Sequence, residues 1–399
     1  MTTVQQAEQL IADALTDWGD ETVPLADAHG RVLRTPLAAD RDQPPFDRVM
    51  MDGIALRYAE FASGRREFKI QQAQAAGQAA TTLQSGEHCI EIMTGAMLPE
   101  GCDCVVPVEQ VSVSGDVAAL RPDTEAVALR FVHPRGSDYR AGDVLLEAGT
   151  RLRAVEIAVA ASVGAATLNV ARLPRIAVVA SGDELVDVDE DVQPFQIRRS
   201  NDYAVAAALR ASGFGGVERF HVADEPGSIE RLIGSLLERF DVLVLSGGVS
   251  MGKYDYLPGV LESLSVDVRF HRVSQRPGKP MWFGMGAQQQ AVFALPGNPV
   301  SALTCLHRHV LPALLARSGA TPERVTHVKL SKAVTFKPPL TWFLPVELMR
   351  DDALLISARP RPTNTSGDFA GLRLSDGFVE LPADRDEFPE GFEARYFPW

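Results

Sequence analysis

Residues 241–245 (Asp-Val-Leu-Val-Leu) make an apolar run too short for a helix, and it empties directly into Ser246, Gly247, Gly248, Val249 and Ser250. A run of this length with that ending predicts a buried parallel strand, which commits its part of the chain to an α/β sheet covered on both faces. Glycines at the strand end let the backbone take positive φ, so that successive N–H groups can converge on a phosphate or similar oxyanion. Ser246 and Ser250 can add hydroxyl donors there. A Gly-Gly turn can also be a plain connection. The anion reading gains weight from Asp255 just downstream, from Arg276-Pro277-Gly278-Lys279-Pro280 after the next strand, and from Leu295-Pro296-Gly297-Asn298-Pro299 after another.

The surrounding chain keeps the α/β rhythm. Strands are predicted at Ile176–Ala180 and Val217–Val222. A helix is predicted over Asn201–Ala211, capped by Ser200 and stopped at Gly213, and another over Ile229–Phe240. A further helix opens at Asn298-Pro299 and runs toward Leu315. Before this region, Val4 to Trp18 has helical spacing, and short β-type segments follow at 68–70, 89–92, 104–108 and 127–132. The stretch around Ile157 to Val170 predicts a buried, close-packed helix. Val325–Leu330, Trp342–Leu348 and Phe378–Leu381 predict terminal strands. The fold class is therefore multidomain α/β plus β. It comprises a helical unit of residues 1–41 and 142–172, a mainly β domain inserted at 42–141, a doubly wound α/β domain at 173–318, and a small C-terminal β domain at 319–399.

Bulk properties narrow the function. A chain of 399 residues exceeds what one core usually serves. A net charge of −13 without a Lys/Arg block argues against nucleic acid or an anionic membrane as partner. Four scattered cysteines make no disulfide framework, and Cys102-Asp103-Cys104 lacks zinc-site spacing, so all four are expected as reduced core residues. No export signal is read at the N-terminus, and a cytoplasmic location is expected.

In an open sheet, ligands sit beyond the carboxyl ends of the strands. There the chain delivers Ser181-Gly182-Asp183-Glu184, Asp224-Glu225, the Ser246–Ser250 turn with Asp255, and the cations Arg276 and Lys279. Carboxylates and cations around an oxyanion turn suit a divalent cation, Mg²⁺, bridging a phosphate to the acids, and hence transfer at a phosphoanhydride. Taken singly, Asp183 and Glu184 could cap a helix, and Asp224-Glu225-Pro226 could open one.

Seven motifs in order extend the pattern: Pro45–Gly53 (Pro-Phe-Asp-Arg-Val-Met-Met-Asp-Gly), Ile92–Asp103, Ser181–Leu185, Ser246–Gly252 with Asp255, Pro277–Pro280, Leu295–Ser301 and Ser366–Phe369 (Ser-Gly-Asp-Phe). By these the chain resembles the MoeA family of molybdopterin molybdenumtransferases over nearly its whole length. The resemblance implies a MogA-like α/β domain and an enzyme that inserts molybdenum from molybdate into adenylylated molybdopterin, releasing AMP with the help of Mg²⁺. It implies a homodimer, with 1–41 and 142–172 serving dimerisation and active sites shared between subunits, and a possible adenylyltransferase partner. Carried over, Asp52, Thr94 and Asp138 would line the cleft from the β domain. Glu184 and Asp255 would hold the metal, with Asp224 assisting. Ser246, Gly247, Gly248, Val249 and Ser250 would cradle phosphate, and Arg276, Pro277, Gly278 and Lys279 would bind the pterin phosphate or molybdate. Ser366 would contact molybdate.

The chain departs from the family in three places. Arg276 stands where a Lys is usual, which turns a point donor into a planar fork. Arg48-Val49-Met50 replaces a more polar Asn-Ser-Ala. Pro339-Leu340-Thr341 stands where a molybdate-binding Arg is usual, and Arg359 or Arg361 is the expected substitute. Two other readings are adenylylation of molybdopterin, which needs only the α/β domain, and a non-catalytic scaffold, which has no reason to keep mutually repelling carboxylates together.

Overall fold

The computed structural model describes residues 1–249, 256–322, 324–350 and 356–399. The chain divides into two compact units, one of Met1–Thr35, Ala148–Ala154 and Thr167–Trp399, the other of Pro36–Glu147 and Val155–Ala166.

The larger unit is built on a six-stranded sheet. Val217–Val222, Ile176–Ser181, Val242–Ser246 and Ala291–Leu295 run parallel, and Trp282–Met285 and Asp267–His271 extend the sheet antiparallel. Only five residues join Met285 to Ala291, too few for a parallel crossover, so the edge closes as a hairpin. Strand residues alternate between two cores. Ala177, Val179, Leu243 and Leu245 pack on Ile229, Ile233 and Leu236 of the Pro226–Leu237 helix. Ile176, Val178, Val242 and Val244 face Val205 and Leu209 of the Asn201–Ala211 helix and the helical stretch after Asn298. Helices on both faces make the domain doubly wound, as expected.

Besides the helix expected over 229–240, which spans Pro226–Leu237, three helices differ from expectation in extent. The N-terminal helix spans Val4–Ala14, opened by a Thr3/Gln6 capping box, and stops before Trp18 because Leu15 is extended. Leu15 stays buried without the helix. The second is the run from Pro299 to Arg317, which contains a π-turn at Leu306–Val310. Pro312 has no N–H to bond back to residue 308, which favours the wider turn. The third is the stretch 157–170, where the helix covers only Ala154–Ser162, Gly164 turns the chain at φ 73°, and Thr167–Ala171 is a strand paired with Asp20–Pro24. That helix is largely exposed, with Val155 at 68%, so the buried helix read from its apolar composition is corrected.

The terminal region closes into a barrel of Thr341–Arg350, Ile356–Pro360, Thr326–Leu330, Glu393–Pro398 and Gly377–Leu381, the last pairing back to the first. It is continuous with the α/β domain. Gln275-Arg276 pairs in parallel with Thr341-Trp342, and Phe343, Phe378 and Phe397 join the core beneath the N-terminal helix. Buried Arg308 ties the same parts together, donating to Glu8 at 2.9 Å and Glu380 at 3.0 Å.

The smaller unit holds a six-stranded sheet ordered Cys104–Pro107, Gly53–Leu56, His88–Ile92, Glu67–Gln74, Val117–Leu120 and Val111–Ser114. Of the expected strand at 127–132 only Val132-His133 forms, because Leu129 has φ 61°, a left-handed conformation no strand admits. All four cysteines are free and buried, and burial pushes the Cys89 and Cys102 thiols up to about 12. Among the described residues no helix is long and apolar enough to cross a membrane.

Candidate active site

Strand order reverses direction between Ile176–Ser181 and Val242–Ser246, which places a crevice at their carboxyl ends. The glycine turn forms its floor. Gly247 sits at φ 103° and Gly248 at φ 63°, and a Cβ on Gly247 would lie 2.5 Å from the Ser181 carbonyl oxygen. Two loops clamp that floor. The Ser181 hydroxyl donates to Asp224 Oδ1, and the Asp224 N–H donates to Asp183 Oδ1 at 2.9 Å. From the other side Asn201 Nδ2 donates to Ser246 Oγ at 2.9 Å and to the Gly297 carbonyl at 2.7 Å. Glu184, Asp224, Ser246, Gly247, Gly248 and Val249 all line the resulting cavity of about 550 Å³. The helix-entry reading holds for Glu225, whose carboxylate caps the next helix at Ser228 N, but not for Asp224 or Glu184.

Ser250 and Asp255 lie outside the described residues, and Asp255 was to share the metal with Glu184. Among the described residues no three His, Cys, Asp or Glu side chains gather into a metal site. Glu184 and Asp224 both line the cavity with the glycine turn, and carboxylates are donors of the kind Mg²⁺ takes, since it keeps waters and phosphate oxygens for the rest of its shell.

A second cavity, of about 620 Å³, shares Pro280, Pro296 and Asn298 with the first. Among its described lining residues are Arg276, Lys279 and Lys337 and no Asp or Glu, on a chain of net charge −13. Lys279 and Lys337 are exposed and form no ion pair with any described residue. The turn that presents Lys279 is held from behind. A Cβ at Gly278 would overlap Cys305 Sγ, and buried Gln275 donates to the Pro277 carbonyl at 3.2 Å while its own oxygen lies 2.8 Å from His309 Nε2. Ser366 arrives from the barrel, accepting from Asn298 Nδ2 at 2.9 Å, and lines the same cavity. Arg359 and Arg361 do not. Both point to Glu347, at 3.5 Å and 3.0 Å, and neither is among the residues lining the cavity.

In the smaller unit, Asp52 Oδ1 accepts from both the N–H and the hydroxyl of Thr94, each at 2.7 Å, and these bonds hold its carboxyl below the usual range. Asp138 Oδ1 lies 3.0 Å from His133 Nε2, and His133 Nδ1 lies 3.0 Å from Arg48 Nη2. Sequence reasoning missed Asn201, Lys337 and His133. Asn201 could have been noticed beside the Ser200 cap, but a single loop lysine or histidine carries no periodic signal.

Together these features define a class, multidomain α/β proteins with a glycine-floored crevice at the carboxyl ends of a parallel sheet. Comparison with known proteins narrows it. Residues 2–164 match the model described as MoeA N-terminal region (domain I and II), 177–316 the probable molybdopterin binding domain, and 327–399 the MoeA C-terminal region (domain IV). The chain is 39% identical to a molybdopterin molybdenumtransferase of Synechocystis sp., covering all of both chains. It is 30% identical to one of Staphylococcus epidermidis, over 92% of this chain and 88% of that one. A crystal structure of the molybdopterin biosynthesis MoeA protein from Pyrococcus horikoshii is similar at 28% identity and a TM-score of 0.80, covering 100% and 99% of the two chains. The chain belongs to the molybdopterin molybdenumtransferase (MoeA) family.

Proposed function

We propose that this chain is a molybdopterin molybdotransferase of molybdenum cofactor biosynthesis, inserting molybdenum from molybdate into adenylylated molybdopterin and releasing AMP. The observation that carries the reading is the pairing of two cavities. One is floored by glycines and lined by Glu184 and Asp224, and its neighbour holds three cations and, among the described residues, no acid. The first suits a phosphoanhydride bridged to carboxylates by a divalent cation, the second a tetrahedral dianion.

In this reading the Ser246–Ser250 turn cradles phosphate through backbone N–H groups and hydroxyls. Glu184 and Asp255 hold Mg²⁺, with Asp224 assisting. The ion would supply neutralisation of charge building on the phosphate oxygens. Lys279, Arg276 and Lys337 hold molybdate, and Ser366 completes its hydrogen bonding. Asp224, kept in place by Ser181, orients ligands rather than meeting the anion directly. Asp52, Thr94 and Asp138 serve the same reaction. A homodimer, a cytoplasmic location and hand-over from an adenylyltransferase partner belong to the proposal.

Adenylylation of free molybdopterin is less favoured, since it needs only the α/β domain, whereas this chain matches the family over its full length. The test incubates the protein with adenylylated molybdopterin, molybdate and Mg²⁺ and follows AMP release and reconstitution of a molybdenum-free apoenzyme. Release of AMP with active cofactor is expected. ATP-dependent adenylylation alone would point to the other reading. Asp255→Ala should lower turnover about a hundredfold or more, the scale of losing one charge-stabilising group.

A further inference from the structure

We propose that His133 is a positioning residue for Asp138, locked in a single tautomer by Arg48. Arg48 and His133 are direct partners in the short antiparallel ladder of Arg48-Val49 with Val132-His133, so their side chains leave the same face. A guanidinium can only donate, so His133 Nδ1, 3.0 Å from Arg48 Nη2, must accept and carry no proton. The ring proton then sits on Nε2, 3.0 Å from Asp138 Oδ1. The result is a directed chain, with Arg48 donating to His133 and His133 donating to Asp138. Protonating Nδ1 would set a second donor and a second positive charge against the guanidinium. Arg135, the next cation in the loop, is committed to Asp42 at 2.9 Å, and its backbone N–H donates to Asp47. The ordinary alternative is a surface hydrogen bond without consequence, since the histidine and aspartate side chains are 28% and 43% exposed. Against it stands the direction of the chain, which only one tautomer satisfies.

The role assigned to Asp138 rests on the function proposed above, but the tautomer does not. Full-length protein labelled with ¹⁵N-histidine should show His133 as the Nε2–H tautomer, identified by its loss in His133→Gln. In Arg48→Met, the Nε2–H signature of His133 should weaken as the other neutral tautomer appears. His133→Gln, which can still reach Asp138 with an N–H, should keep most of the molybdenum-insertion kcat, whereas His133→Ala should lose about tenfold with an unchanged melting temperature. An Nδ1–H tautomer, an unchanged tautomer in Arg48→Met, or wild-type kcat in His133→Ala would overturn the proposal. If the wild-type protein shows the expected tautomer yet inserts no molybdenum, the hydrogen-bonded chain stands and the proposed function fails.

Discussion

At the scale of single residues, the site depends on donors that leave charges usable. Asp52 is exposed, so its lowered pKa comes from the two Thr94 bonds. Thr94→Val keeps the backbone N–H and removes the hydroxyl, so the Asp52 carboxyl should titrate higher, as read by ¹³C NMR. An unchanged value would mean that the hydroxyl contributes nothing. Lys337 is the residue that composition hid. Its neutral replacement Lys337→Ala should raise the molybdate KM about tenfold, equivalent to 1.4 kcal/mol, with AMP-binding affinity nearly constant. Arg359→Ala should leave that KM alone, because Arg359 already faces Glu347. The two variants together discriminate the three-cation cavity from a barrel-face site. Asp224, Ser246 and Lys279 were legible because they fall at strand ends. Lys337 was not, because its position depends on how the barrel seats against Gln275-Arg276.

At the scale of elements, local patterning worked where it was periodic and failed where backbone conformation intervened. The Val242–Ser246 strand and its glycine turn formed as read, with both glycines at positive φ and a Cβ on Gly247 blocked by the Ser181 carbonyl. Gly247→Ala should lower stability by about 1–3 kcal/mol through strained φ and the Ser181 contact, visible as a lower melting temperature alongside lost phosphate binding. An unaffected melt would mean that the turn relaxes around the added methyl. Thr3→Ala removes one side of the capping box and should cost about 1 kcal/mol, since the helix it starts buries Val4, Ala7 and Ile11. The segments misread were 127–132, broken by left-handed Leu129, and 157–170, split at Gly164 into an exposed helix and a strand. Alternating apolar residues describe a face. They do not say whether the backbone can present it.

At the scale of the molecule, the α/β domain, the N-terminal helix and the barrel share one core, and two histidines are embedded in it. Burial pushes His307 down to about 4, and His309 also lies well below its ordinary value. An unfolded chain takes up these protons near pH 6.5, the native one only far lower. Stability is therefore intact above pH 6.5 and lost as pH falls toward 4, on the order of 2–3 kcal/mol for His307. Denaturant melts should show that acid slope, and His307→Phe should flatten it; an unaltered slope would place the loss elsewhere. Sedimentation should report a homodimer, and mixing Asp52→Ala with Lys279→Ala subunits should recover activity that neither has alone if active sites draw on both protomers. By itself the sequence determined the alternation of elements, the glycine turn and the acids at strand ends, because these follow from local sterics and from hydrophobic period. Tertiary structure decided which charges share a cavity, which arginines are already paired, and how His133 meets Arg48 and Asp138. Such contacts depend on distances between residues far apart in the chain, and no local pattern encodes those.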